Sequence, residues 1–149
     1  MMDKSNKIIS SLRFSKYVVN NVQFIYNQNY KRADKILEIV FGIDHNIKYE
    51  SGKMLTTLLI DIFPDMEKNN YPFYMHVELK GFFTIDGDNF KSFETSSIAI
   101  LYPYLRALVS TYTANSNVPT LILPPINVVA YLEDKNKTAL LENKETEKK

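Results

Sequence analysis

The spacing of the apolar residues changes once along this chain, near Phe90, and that change constrains the fold more than any other feature. Before it the pattern has period two, as strands do; after it the pattern is helical. Leu12 to Asn27 sets Leu12, Phe14, Val18, Val22, Phe24 and Tyr26 against Arg13, Ser15, Asn21, Gln23 and Asn27. That alternation predicts a half-buried strand, bulged near Asn20-Asn21. Ala33 to Tyr49 repeats the signal through Leu37, Ile39, Phe41, Ile43 and Ile47. Glu50-Ser51-Gly52 supplies a turn, and Lys53 to Phe63 returns as a third strand. After a polar loop from Pro64 to Asn70, Tyr71 to Ile85 reads as a fourth. It carries Phe73, Met75, Val77, Leu79, Gly81, Phe83 and Ile85 on one face, and Tyr74, His76, Glu78, Lys80 and Phe82 on the other. Asp86-Gly87-Asp88 ends it with turn chemistry.

Beyond Phe90, Ile98, Leu101, Leu105, Leu108, Val109 and Tyr112 recur at helical spacing, with Thr95 or Ser96 as candidate caps and Pro103 as a start or a kink. Asn115 to Asn117 ends that helix. Pro125 and Asn127 introduce a second one, to about Leu141, with Val128, Tyr131 and Leu132 inward. Strands followed by helices predict an α+β fold: a four-stranded antiparallel sheet with two C-terminal helices packed on one face. The segment between the helices, Val118-Pro119-Thr120-Leu121-Ile122-Leu123-Pro124-Pro125, is far oilier than a surface connector needs to be. It must pack on something or bind something.

Composition removes several function classes. A chain of 149 residues makes one domain. Eighteen Lys and Arg stand against 17 Asp and Glu, which leaves no basic surplus for a polyanion. Cysteine is absent, so disulfides and thiolate ligands are excluded, in agreement with a cytoplasmic location. Met1 to Lys7 is polar and Ile8-Ile9 is too short for the apolar core of a signal peptide. No run approaches the ~20 apolar residues of a membrane span, so no membrane insertion is expected. His45 and His76 lie on different strands without metal-ligand spacing. Asp86-Gly87-Asp88 lacks the rest of a calcium loop. Glycines are isolated, and no nucleophile elbow or phosphate loop is present. The chain reads as a non-enzyme without metal or cofactor.

Three blocks carry a resemblance. Leu101-Tyr102-Pro103-Tyr104-Leu105-Arg106-Ala107 resembles the helix motif of the SecB export-chaperone family, in which an aromatic-Pro-Tyr sequence is followed one residue later by Arg. Val118 to Asn127 resembles that family's helix-connecting loop, Phe-Pro-x-Leu-x-Leu-x-Pro-Val-Asn. Gly81-Phe82-Phe83-Thr84-Ile85 is similar to the end of its fourth strand. The blocks keep the family's order and span roughly half the chain, from about Tyr71 to Glu133. The resemblance implies one SecB-like chaperone domain over residues 1–141, with the charged stretch 142–149 as a disordered tail. It also implies a homotetramer, a dimer of dimers assembled through sheet edges and the first helix.

The implied function is that of an ATP-independent holdase, which keeps unfolded client polypeptides from aggregating. Clients would be preproteins for export or an unstable partner such as an antitoxin of a toxin–antitoxin module. Several apolar contacts along one client reach useful affinity without sequence readout. The expected client groove takes Leu121, Leu123, Val128, Tyr131 and Leu132, with Phe63 and Phe83. Pro119, Pro124 and Pro125 are expected to hold Leu121 and Leu123 out of the core. The expected oligomer interface takes Ile98, Leu101, Leu105 and Leu108. The family's outer sheet face uses acidic residues to dock SecA, but the matching positions here are Asn21, Ile25, Tyr74 and His76. Glu133 to Lys149 also differs from the SecA-binding tail, so weak or absent SecA docking is expected. Two other readings use the same residues. One is a single-stranded nucleic-acid-binding sheet built on Tyr17, Tyr26, Tyr30 and Tyr74 with nearby Lys and Arg, disfavoured by the charge balance. The other is an oligomeric adaptor without client activity.

Overall fold

The fourth strand carries the longest clean alternation, and the fold is organised on it. A computed structural model describes residues 11–87 and 90–147, with side chains described through residue 139. The strands are β1 (Leu12–Tyr26), β2 (Phe41–Glu50), β3 (Lys53–Ile62) and β4 (Phe73–Ile85). A single 3-10 turn (Phe90–Ser92) leads into α1 (Phe93–Ala114), and α2 (Val128–Glu147) follows the connector. The strands form one antiparallel sheet in the order β1-β4-β3-β2. This is the four-stranded, two-helix α+β architecture expected from the sequence.

β4 lies between two strands and under α1, and its odd residues, apolar throughout, are buried from Phe73 to Ile85. β3 adds Met54, Leu58, Ile60 and Ile62 to the same side. α1 packs across β4 and β3 with Ser97, Ile98, Leu101, Tyr102, Leu105, Val109 and Thr113 buried, a stripe at helical spacing. The polar members of this core are paired. Thr56 Oγ1 donates to Ser97 Oγ at 2.9 Å, and Ser97 Oγ donates to the Glu94 carbonyl at 2.9 Å. Pro103 lies inside α1 and cannot donate to the carbonyl of Ala99, yet the helix runs through it.

Four details depart from the sequence reading. β1 has two register shifts, between Phe14 and Lys16 and between Val19 and Asn21. The second is the expected bulge. The first reverses the alternation from Lys16 onward, so Val18 faces away from the helices while Tyr17 and Val19 face them. Residues 33–40 are irregular rather than strand. Phe41 pairs with Ile62, the last residue of β3, and Phe63 then turns away at φ 53°; only its N–H reaches back, to the Val40 carbonyl at 2.9 Å. Residues before Val40 therefore have no strand to pair with. α1 starts at Phe93, ahead of Thr95 and Ser96. α2 runs past Leu141 to Glu147. The segment Met1 to Ile9 and Asp88 of the expected turn lie outside the described residues, as do the side chains of 142–149.

Helix and sheet approach closely at Gly81. A Cβ there would stand 2.6 Å from Leu101 Cδ2 and 2.9 Å from Phe83 Cε2, and both side chains are already buried. Gly81→Ala is expected to destabilise the fold by about 1–3 kcal/mol, as overpacking does. Gly42→Ala, whose Cβ would meet nothing within 4 Å, is expected to be neutral or mildly stabilising. Urea denaturation of the two variants measures the contrast.

Candidate functional site

An extended connector has backbone donors and acceptors but no ladder, so other groups must satisfy those that are buried. Here α1 supplies them. Thr113 Oγ1 accepts the Leu121 N–H at 2.9 Å and donates to the Val109 carbonyl at 2.8 Å. Ser110 Oγ donates to the Leu121 carbonyl at 2.9 Å. The Tyr102 hydroxyl donates to the Pro124 carbonyl. At the far end Asn127 caps α2, its Oδ1 accepting the Ala130 N–H at 3.0 Å. Between these anchors the side chains alternate. Leu121 and Leu123 point into the core, and Ile122 is 62% exposed.

This placement revises the expected groove. Leu121, Leu123, Phe63 and Phe83 are core residues; Val128, Tyr131 and Leu132 are half-buried against the core. The prolines do not hold Leu121 and Leu123 out, because hydrogen bonds to both backbone groups of Leu121 pull that turn of the connector onto α1. The expected interface is revised for a similar reason. Ile98, Leu101 and Leu105 have no exposed surface left to offer a second subunit, and only Leu108 is half-buried. The clasp residues Tyr102, Ser110 and Thr113 were missed. Their signal was three hydroxyls at helical spacing on the inner side of α1, opposite an oily connector.

Among the described residues, Val18 and Ile25 are exposed on the outer sheet face and Val129 on α2, while larger groups of apolar side chains gather in two places. The first is the helix side of β1 with the adjoining flank of α1. Tyr17, Val19, Tyr104 and Tyr112 are all more than a third exposed. Tyr17 and Tyr104 stack with ring centroids 4.5 Å apart, Phe14 lies 5.7 Å from Tyr104, and Phe24 lies 5.3 Å from Tyr112. The second is a cleft of about 700 Å³ between the β1–β2 connector and the start of the helix connector. Tyr26, Ile36, Leu37, Val118 and Pro119 line it, and Ile36 is 95% exposed.

The two histidines have local partners. His45 Nδ1 lies 2.7 Å from the Tyr131 hydroxyl, which ties α2 to β2, and Lys135 adds a 3.6 Å ion pair with Asp44. Burial pushes the His45 imidazole below its ordinary 6.5, helped by Lys135 and opposed by Asp44 and Glu94, and the neutral tautomer with a bare Nδ1 can accept a hydrogen bond from the Tyr131 hydroxyl. Burial also raises the Tyr131 phenol. On the outer face, Asp61 Oδ1 accepts the Tyr74 hydroxyl at 2.6 Å and faces His76 Nδ1 at 2.8 Å. Burial and that hydrogen bond push the Tyr74 phenol up to about 12. Asn21, Ile25, Tyr74 and His76 do share the outer face, but Asp61 and Glu78 share it with them. Among the described residues no three His, Asp or Glu side chains gather as a metal site. No helix among them is long and apolar enough to cross a membrane.

Over 129 aligned residues the chain is 40% identical to the uncharacterized protein MJ0357 of Methanocaldococcus jannaschii, covering 82% of this chain and 83% of that one. The chain belongs to the family of that archaeal protein. No family model matches it. The SecB-like chaperone Rv1957 of Mycobacterium tuberculosis, solved with a ChAD peptide from the Rv1956 HigA1 antitoxin, matches with a TM-score of 0.63 at 13% identity. That match covers 77% of this chain and 90% of Rv1957. The fold of this family member is therefore SecB-like. A protein of unknown function from Streptococcus agalactiae matches at TM-score 0.46 and 10% identity, over 76% of this chain and 97% of that one.

Within this family member, the clasp separates packing from exposure residue by residue. Leu123→Ala is expected to cost about 2–5 kcal/mol, while Ile122→Ser stays within about 0.5 kcal/mol of the parent; thermal or urea unfolding reads both. His45 gives a pH dependence. Its folded pKa lies below the unfolded 6.5, so its share of stability is complete above pH 6.5 and is lost as pH falls toward the folded value. Melting temperature is expected to drop on acidification below pH 6.5, and His45→Gln is expected to flatten that part of the curve.

Proposed function

We propose that this chain is an ATP-independent holdase of the SecB type, working as a cytoplasmic homotetramer on unfolded polypeptides and catalysing no reaction. The cleft between the two connectors carries this reading. It gathers large apolar side chains that the core does not use, and an exposed Ile36 has no packing role in the protomer. The SecB-like fold supports it, and the antitoxin peptide bound by Rv1957 makes a short unstable segment a natural client class beside exported preproteins. The client surface is the cleft, extended along the connector through Ile122 and the half-buried Val128, Tyr131 and Leu132. Leu121, Leu123, Phe63 and Phe83 are buried in the core and take no part in it.

The subunit contact belongs to the exposed strip on β1 and α1: Tyr17, Val19, Tyr104, Leu108 and Tyr112. β1 is an edge strand, and an edge strand beside exposed aromatics is the kind of surface that association covers. SecA docking is weak in this proposal. Asp61 is held by Tyr74 and His76, and Glu78 accepts from Asn20 Nδ2 at 2.7 Å.

The purified protein is expected to suppress aggregation of a chemically unfolded client at equimolar tetramer without nucleotide, and Ile36→Ser with Leu37→Ser is expected to weaken that about tenfold, roughly 1.4 kcal/mol. Unchanged client aggregation with the parent protein favours the adaptor reading. Light scattering at micromolar concentration is expected to give about four times 17.3 kDa. Tyr17→Asp with Tyr104→Asp is expected to reduce that mass, and a parent that is monomeric from the start would reject the assembly.

A further inference from the structure

The sheet face turned away from the helices changes character along its length. At the end near the β2–β3 turn, one row across the strands reads Lys16, Phe82, Leu55, Lys48. Lys53 borders this row on one side and Lys80 on the other. Lys16 Nζ stands 5.2 Å from the centre of the Phe82 ring. Among the described residues, no carboxylate lies within ion-pair distance of Lys16, Lys48, Lys53 or Lys80. Leu55 and Phe82 lie at the floor of a recess of about 680 Å³, with Lys48, Lys53 and Glu50 on its rim. The acidic groups farther along the face are engaged: Asp61 by Tyr74 and His76, and Glu78 by Asn20.

We propose that this recess docks an acidic peptide segment carrying a large aliphatic or aromatic side chain. Four lysines without ion-pair partners are repelled by one another and satisfied by carboxylates, while the half-buried Leu55 and Phe82 gain from covering by an apolar anchor. A single-stranded nucleic acid fits less well. It needs successive stacking platforms, and this row holds one aromatic ring beside an aliphatic floor. The recess lies on the opposite face of the sheet from α1, so it is independent of the client cleft and of the chaperone reading. The bulge between Phe14 and Lys16 contributes Ser15 to its lining and sets Lys16 beside Phe82 on the same outer face.

The test uses the full chain and fluorescence anisotropy with three labelled probes: a short peptide of alternating Glu and Leu, a poly-Glu peptide of equal length, and oligouridylate. The Glu–Leu peptide is expected to bind, more weakly as salt rises, and at least fivefold more tightly than poly-Glu. Lys48→Glu with Lys53→Glu, both exposed positions, is expected to weaken it tenfold or more, with the circular dichroism spectrum and suppression of client aggregation unchanged. Lys48→Gln with Lys53→Gln is expected to give a smaller loss in the same direction. No binding of the Glu–Leu peptide overturns the proposal, as does equal binding of both peptides or affinity indifferent to the lysine changes. Oligouridylate bound more tightly than the peptide through the same lysines also overturns it.

Discussion

The sheet is wider than the helix that covers it, and much of the molecule follows from that mismatch. A helix with its side chains is about 10 Å across, and strands are spaced about 4.8 Å apart, so one helix covers about two strands. α1 lies over β4 and β3, whose helix-side residues are almost completely buried. α2 reaches β2 through His45 and Asp44. Among the described residues nothing is left to cover β1 fully. Its helix-side residues Tyr17 and Val19 stay exposed, and Tyr104 and Tyr112 reach only partway over them. Among the described residues, this mismatch leaves the helix side of β1 partly uncovered.

Position in the sheet also decides how each strand tolerates irregularity. β4 pairs on both edges, so a bulge would disturb two ladders, and its alternation is unbroken from Phe73 to Ile85. β1 pairs on one edge and carries both register shifts. The shift near Ser15 has consequences on both faces at once. It turns Tyr17 toward Tyr104 on the helix side and places Lys16 over Phe82 on the other. A single extra residue thus shapes the aromatic strip and the basic recess together.

The strands and helices were legible because their periods were clean and long. The four strands, the buried parity of β4 and the helical period of α1 followed from spacing alone. What spacing could not give was the partner of each segment. Ala33 to Val40 alternates well enough to resemble a strand, but β3 ends at Ile62 and offers it no ladder. The bulge near Ser15 was invisible because a polar Ser fits the outward parity of an unbroken strand. At the connector, the oily pattern announced an unusual loop without saying which side faced in. That choice rests on Thr113, Ser110 and Tyr102, hydroxyls that a one-dimensional pattern treats as gaps in an apolar stripe. The candidate interface failed for the same reason: Ile98, Leu101 and Leu105 are apolar whether they meet a sheet or a second subunit.

Magnitudes decide which connector residues can serve the client binding proposed above. Exposing Leu121 and Leu123 forfeits about 1.5–3 kcal/mol for each side chain. It also breaks the bonds from Thr113, Ser110 and Tyr102, each worth about 1 kcal/mol net. An opened connector therefore lies on the order of 6 kcal/mol or more above the closed one, a population of roughly one molecule in ten thousand or fewer. A client that needed that state would bind correspondingly more weakly. Ile122, Ile36 and Leu37 carry no such penalty, since they are exposed in the closed form. The burial energy of the surface they expose is available on contact, nearly all of it at Ile36. Alternation along the connector thus divides its labour. Leu121 and Leu123 hold the loop to α1, and that rigidity keeps Ile122 presented at low ordering cost.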